Sequence, residues 1–292
     1  GEDWMERLDE PGIWSKLSDV PAEELWAVRM HQKRKLAFYL RDRVRDRWTH
    51  GGFHPVQVVA SGVLLNPYAL TIGFARRFAT YKRASLILSD VERLFKVINQ
   101  PNMPVQIIFA GKAHPADDPG KRLIQDIYRT VKKAENGGRL VFLEDYDMNV
   151  ARYLVQGVDV WLNTPRRPLE ASGTSGMKAG LNGVLNFSIL DGWWREAYNG
   201  RNGWAIGEDH EVESSEVQDQ ADAESLYSIL ENEIIPLYYE REVVNWLPRE
   251  WLERVKESLR TVTPQFSTRR MVKEYAERLY VPALPKVVGK KK

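Results

Sequence analysis

Leu140-Val141-Phe142-Leu143-Glu144, then Asn149 to Gln156, then Val158-Asp159-Val160-Trp161-Leu162 is the stretch that decides the fold. The first run is short, apolar and preceded by Gly137-Gly138, which marks a buried strand. The second reads as a short helix with Asn149 placed to cap it, and the third as another buried strand. The same alternation extends in both directions. Upstream, Leu70 to Phe74 predicts a strand, Ala84 to Asn99 a helix, Val105 to Gly111 a strand, His114 to Pro119 a loop and Gly120 to Glu135 a helix. Downstream, Val184 to Ser188 predicts one more strand. Strands that are apolar throughout, rather than at every second position, are covered on both faces. Alternation with helices then implies an α/β domain with a Rossmann-like, doubly wound parallel sheet.

The flanks read differently. Ala22 to Trp48 predicts a long helix crowded with Arg and Lys, a solvated face or one turned toward another domain. Asp209 to Asp222 is acidic and polar, an exposed loop by composition. Helices follow at about Ala223–Arg241, Arg249–Thr261 and Thr268–Leu279, with Pro264 breaking the last two apart. Val281 to Lys292, with two prolines and three terminal lysines, predicts a disordered tail. The expected division is a helical segment over 1–60 at the domain or its interface, a Rossmann-like unit over 61–245, helices over 246–280 and the tail over 281–292.

With 292 residues the chain suffices for one large or two small domains, and its 43% hydrophobic and 28% charged residues are ordinary for a globular protein. A net charge of +2 supplies no global field for nucleic acid or an anionic membrane. The absence of cysteine excludes a disulfide framework and thiolate metal sites. No apolar run approaches the roughly 20 residues that span a bilayer. The acidic start Gly1-Glu2-Asp3 does not resemble a signal peptide, and a first residue other than Met is consistent with an excerpt or a processed product. Ten tryptophans suit contact with sugar faces, and equally a packed core.

The chemistry concentrates in Arg166-Arg167-Pro168-Leu169-Glu170-Ala171-Ser172-Gly173-Thr174-Ser175-Gly176-Met177-Lys178. This segment follows a predicted strand, and ligands of open parallel sheets bind beyond the carboxyl ends of strands. Its Ser, Gly and Thr residues can turn tightly and open a helix, whose free N–H groups and dipole favour phosphate. Glu170 is placed to accept hydrogen bonds from sugar hydroxyls. Lys178, near phosphate donors, suits an imine with a phosphorylated aldehyde. No Gly-Lys-Ser/Thr occurs, so the segment is not a triphosphate-binding P-loop. A second cluster, Arg76-Arg77-Phe78-Ala79-Thr80-Tyr81-Lys82-Arg83, also follows a predicted strand, and its basic residues could hold two phosphates close together. The loop Gly111-Lys112-Ala113-His114-Pro115 ends a third strand and makes His114 a candidate contact. His50 and His54 are not helically spaced and carry little weight as a metal site, so no metal is expected.

Glu170 to Lys178 closely resembles the pyridoxal-phosphate attachment segment of α-glucan (glycogen and maltodextrin) phosphorylases, whose common form is Glu-Ala-Ser-Gly-Thr-Gly-Asn-Met-Lys. Arg76 to Arg83 resembles that family's Lys-Arg-x-x-x-Tyr-Lys-Arg, Phe109 to Pro115 its Gly-Gly-Lys-Ala-x-Pro loop, and Leu143 to Tyr146 its Leu-Glu-Asn-Tyr. The likeness runs from the first residues to about Tyr280. Leu190 to Tyr198 and Asn202 to Ile206 are similar to the shorter bacterial and archaeal branch.

The resemblance implies the C-terminal domain of a two-domain GT-B glycosyltransferase fold, and retaining phosphorolysis of α-1,4-glucan to glucose 1-phosphate. It implies pyridoxal 5'-phosphate on Lys178, with Thr174, Ser175, Gly176, Lys82, Arg76 and Tyr146 as its pocket. Arg77 and Lys82 would hold the substrate phosphate, so that Lys178, Arg77 and Lys82 form the catalytic set. Glu170, Ser172, Gly173 and Arg77 would bind substrate. Partners implied are α-1,4-glucan, inorganic phosphate or glucose 1-phosphate, and an N-terminal domain of the same enzyme. A homo-oligomer is compatible with it; nucleic acid and membrane are not expected. The location expected is cytoplasmic, and the isolated chain is expected to have little or no activity.

Three departures from the family pattern stand out. Arg76 replaces a common Lys, Asp147 replaces a common Arg after the tyrosine, and Ser175-Gly176 replaces Gly-Asn. Two other readings share the features: a sugar-nucleotide-dependent glycosyltransferase resembling glycogen synthase, which has no need of Lys178, and a non-catalytic sugar-phosphate or glucan-binding module.

Overall fold

The computed structural model describes residues 3–51, 65–133, 138–208 and 214–288, with side chains described through residue 43 in the first stretch and 284 in the last. Six parallel strands build the sheet: β1 (Leu70–Ala75), β2 (Val105–Ala110), β3 (Leu140–Leu143), β4 (Val160–Asn163), β5 (Leu185–Ile189) and β6 (Gly203–Ile206). Their spatial order is β3-β2-β1-β4-β5-β6, the doubly wound arrangement. The order reverses between β1 and β4, so a crevice opens beyond the carboxyl ends of these two neighbours.

Every residue of β1, β2, β4 and β5 is buried, as apolar runs without alternation require. Pleating distributes them between two cores. Ile72, Phe74, Ile107, Phe109, Val160, Leu162 and Phe187 pack on one face with Leu94, Val97, Leu226, Leu230 and Trp251. Ala75, Ile108, Ala110 and Trp161 pack on the other with Leu36, Leu40, Val150, Leu154 and Ala179.

The helix expected at Ala22–Trp48 runs over Ala22–Gly51, but not all of its basic residues are solvated. Arg29 and Lys33 are buried at the start of the strands. Arg29 donates to the carbonyls of Gln156, Val158 and Asn182. Lys33 donates to the Ala69 carbonyl at 2.8 Å and the Tyr238 hydroxyl at 2.6 Å, and pairs with Asp159. Asp159 also accepts from the Thr71 N–H at 2.9 Å, so one buried ion pair ties the helix to both strands of the crevice from below.

Several local expectations are corrected. Asp147, not Asn149, caps the helix Met148–Gly157, its carboxylate accepting from Val150 N–H at 2.7 Å; Asn149 lies inside the first turn. Ala84–Asn99 is not one helix: a 3₁₀ turn at Leu86–Leu88 precedes the helix Val91–Ile98, which Asp90 caps. The acidic stretch is helical from Ser215 to Ile229 under a Ser214 cap, while residues 209–213 lie outside those described. That helix continues through a π turn at Leu230–Ile234 into Ile235–Tyr239. Pro264 is not the break between the two helices: it lies inside Arg249–Phe266, and the break falls at Ser267, whose side chain caps the helix Thr268–Tyr275. Val281–Val288, expected to lack structure, is helical. The side chain of His50 and all of His54 lie outside the described residues.

Candidate active site

Three loops converge beyond the ends of β1, β2 and β4. Arg76 N–H donates to the Ala110 carbonyl at 3.1 Å and Phe78 N–H to the Lys112 carbonyl at 2.9 Å, so the chain after β1 stays extended alongside the chain after β2. Gly111 permits this approach. Its φ is +151°, and a Cβ there would lie 2.0 Å from the Arg76 carbonyl oxygen. Side chains of an extended segment alternate in direction. Arg76 and Phe78 are buried, and Arg77 between them is exposed.

The loop after β4 is fastened to the loop after β1. Thr164 Oγ1 donates to the carbonyls of Lys82 and Arg83 at 3.1 and 3.0 Å, and Arg166 N–H donates to the Tyr81 carbonyl at 2.6 Å. Arg83 is buried in the left-handed conformation (φ +45°). It donates to the carbonyls of Thr164 at 3.0 Å and Pro165 at 2.8 Å, and pairs with Asp219 and Asp222. Among the four basic residues, Arg83 therefore serves as a latch between loops.

This fastening brings Glu170 to Arg76 and Lys82. Arg76 Nη2 lies 2.5 Å from Glu170 Oε2, and Lys82 Nζ lies 3.0 and 2.8 Å from Oε1 and Oε2. The three side chains are at most 10% exposed. Burial works against the charge on Glu170, but Arg76 and then Lys82 outweigh it and hold the carboxyl below the usual carboxylate range. The Nε and Nη1 groups of Arg76 are buried and, among the described residues, have no hydrogen-bond partner. Buried donors left unpaired are costly, and they mark where an acceptor belongs. Behind Glu170, its backbone N–H donates to Asp191 Oδ2 at 2.8 Å.

Gly173, in the left-handed region (φ +91°), opens the helix Thr174–Leu181. Among the described residues no side chain caps this helix, whereas Asp90, Asp117, Asp147, Ser214 and Ser267 cap the helices that follow them. Its first N–H groups are thus left for another acceptor. Ser175 Oγ accepts from Trp161 Nε1 at 3.3 Å. Gly176 is forced: a Cβ would stand 2.7 Å from Asn186 Oδ1 and 2.8 Å from Trp193 Nε1. Glycine at 176 is thus the residue that this contact admits where the family form has Asn.

The remaining predicted residues are placed as follows. Lys178 is exposed on the same helix, and among the described residues no hydrogen bond or ion pair engages its amine. Ser172 and Thr174 flank Gly173, the first half-buried and the second exposed. Tyr146 is half-buried against the apolar cluster of Leu143, Val150 and Leu154; burial, with Asp147 nearby, pushes its hydroxyl up. His114 is exposed, and its Nδ1 accepts from Ala116 N–H at 3.1 Å, a local turn contact. The structure thus joins Arg76, Lys82 and Glu170 directly and leaves Arg77 outside that cluster. The parts that sequence reasoning missed are Thr164, the latch role of Arg83, and Asp191. Asp191 had a readable signal, since it follows a predicted strand as the other site loops do.

A separate cavity of about 740 Å³ lies between Thr80–Arg93 and the helix Ser215–Ile229, lined by Arg83, Arg93, Arg166, Asp219 and Tyr227 among others. It does not include Glu170, Lys82 or Lys178.

A doubly wound α/β domain with a guanidinium, a lysine and a carboxylate gathered at its switch point defines a class, α/β proteins whose candidate site lies beyond the carboxyl ends of the strands. The comparisons narrow the class. A model of the family "Phosphorylase: Carbohydrate phosphorylase" matches residues 22–228, and the chain belongs to that family. It is 52% identical over 280 residues to the glycogen phosphorylase of Aquifex aeolicus, covering 96% of this chain and 40% of that protein. It is 47% identical over 289 residues to the maltodextrin phosphorylase of Thermococcus litoralis, covering 99% and 33%. It is 43% identical over 276 residues to a Mycobacterium tuberculosis glycogen phosphorylase, covering 94% and 32%. The chain therefore spans about a third to two fifths of the length of these bacterial and archaeal relatives.

Proposed function

We propose that this chain carries the cofactor and phosphate site of an α-glucan phosphorylase, which releases glucose 1-phosphate from α-1,4-glucan. One observation carries the reading: Arg76, buried at the switch point beside Lys82, keeps two donors unpaired while a third holds Glu170. The residues fit pyridoxal phosphate. Lys178 offers a free amine, the uncapped helix start at Thr174 and Ser175 offers backbone donors to a phosphate, and Tyr146 offers an aromatic wall. When bound, that cofactor supplies a phosphate group able to exchange a proton with inorganic phosphate. Two phosphates in contact are costly as full anions, and sharing a proton relieves the cost. Arg76, Lys82 and the exposed Arg77 reduce it further by holding the negative oxygens. Glu170, with Ser172 and Gly173, receives the hydroxyls of the terminal glucosyl unit. Its carboxylate accepts from sugar O–H groups, and its charge counterbalances the cations between substrate turnovers.

The glucan, inorganic phosphate and the additional sequence that the relatives carry complete the proposed enzyme, and a cytoplasmic location belongs to the same reading. The test is chemical. Purified chain mixed with pyridoxal phosphate and reduced with borohydride should carry the label on Lys178, read by peptide mass spectrometry. Label scattered over other exposed lysines at equal yield would overturn the reading.

A further inference from the structure

We infer that Asp191 is a positioning residue for Glu170, acting through the backbone and not by touching substrate. This rests on the reading of Glu170 as a substrate-binding carboxylate. Asp191 lies two residues beyond β5 and is 8% exposed. Its two oxygens are used on two different loops of the site wall, the one after β4 and its own. Oδ2 accepts from the Glu170 N–H at 2.8 Å, and Oδ1 accepts from the Gly192 N–H at 2.9 Å. A carboxylate accepting from backbone N–H groups makes charge-assisted bonds, roughly twice as strong as neutral ones.

The neighbouring backbone completes the grip. Trp193 N–H donates to the Ser172 carbonyl at 2.9 Å. Gly192 has φ +54°, and a Cβ there would lie 2.4 Å from the Ser172 oxygen and 3.0 Å from the Glu170 oxygen. Residues 191–193 therefore press main chain against main chain on Glu170–Ser172. On the opposite side, Arg76 and Lys82 pull on the Glu170 carboxylate. Asp191 thus holds the root of Glu170 while the cations hold its tip. With both oxygens occupied by N–H donors, Asp191 does not compete for those cations. An isosteric amide at 191 accepts from only one of the two N–H groups and presents an N–H₂ to the other, so whichever way it turns one of the two backbone grips is lost and the charge assistance goes from both.

The experiment follows the Glu170 carboxyl by ¹³C NMR against pH in the full chain, with Glu170→Gln identifying its signal, and needs no ligand. In Asp191→Asn the midpoint should rise by about 0.5–1 pH unit, since Arg76 and Lys82 no longer close on the carboxylate. Phosphate affinity, measured by calorimetry, should change by about threefold or more in Asp191→Asn and by less than twofold when the same change is made in the Glu170→Gln background. A lowered melting temperature with an unmoved Glu170 midpoint would mean a merely structural carboxylate and overturn the inference. So would equal effects on phosphate affinity in the two backgrounds. If Asp191→Asn does not fold, Gly192→Ala, which keeps the carboxylate and disturbs the same contact, is read in the same way. Should the unsubstituted chain bind no phosphate, the phosphorylase reading suffers, while the Glu170 midpoint still decides the role of Asp191.

Discussion

Lys82 and Glu170, 88 positions apart in the chain, meet at 2.8 Å beyond the ends of β1 and β4, with Arg76 on the same carboxylate at 2.5 Å. Two cations that are nearly buried share one anion, leaving a local excess of positive charge that a phosphate can satisfy. Glu170→Gln removes the anion that Arg76 and Lys82 share and should destabilise the chain by about 2–4 kcal/mol. Millimolar phosphate should then raise the melting temperature more in the variant than in the parent, because it replaces the missing anion. Equal phosphate shifts in both proteins would argue against the cluster as a phosphate site.

The same trio predicts a pH dependence. The folded-state carboxyl of Glu170 is held below its unfolded value, so its stabilisation is present above about pH 4.3. It is lost as pH falls from there through the lower folded value. The stability difference between the parent chain and Glu170→Gln should therefore be flat from pH 6 to 8 and shrink below about pH 4.3. Urea titrations at several pH values measure it; a difference that grows on acidification contradicts the assignment.

Beneath the crevice, Lys33 and Asp159 form a buried pair whose loss should be felt throughout the sheet. Burial pushes the Lys33 ammonium down to about 8 even though Asp159 pulls the other way. Lys33→Met leaves Asp159 without its buried cation, and should cost about 3–5 kcal/mol in chemical denaturation. Adding Asp159→Asn should recover part of that loss, since the amide oxygen can still accept from Thr71 N–H. A double variant no more stable than Lys33→Met would show that the charge is not the origin of the cost.

Gly176→Ala tests the packing of the helix that bears Lys178. Alanine in a helix interior is normally better than glycine by about 1 kcal/mol. Here its Cβ would strike Asn186 and Trp193, so a net loss of about 1–3 kcal/mol is expected. Thermal melts report the sign directly, and a gain would mean that Trp193 yields without cost.

Much of the fold was legible because fully buried parallel strands leave continuous apolar runs, as in Val105–Ala110 and Val160–Asn163. β6 was not recognised as a strand, since Gly203-Trp204-Ala205-Ile206 is short and begins with glycine. The caps show how local competition is settled. Asp147 and Asn149 are both good capping residues, and only the path of the chain after Asp145, with φ +52°, sets which one meets the free N–H. Arg29 and Lys33 look like any other basic residues of a long helix. Their burial follows from where that helix lies against Asp159 and the strand carbonyls.

The amino-acid sequence on its own determined the order of the first five strands, the doubly wound class and the kinship with phosphorylases, and it singled out the two basic and glycine-rich segments that meet at the candidate site. All of these are written in local patterns of polarity, glycine and charge. Only the tertiary structure decided that Arg76 faces Glu170 while Arg77 faces outward, that Arg83 latches two loops, and that Asp191 stands behind the site. The reason is distance: what a charged group does depends on its partners within about 3 Å, and here those partners arrive from strands far apart in the chain.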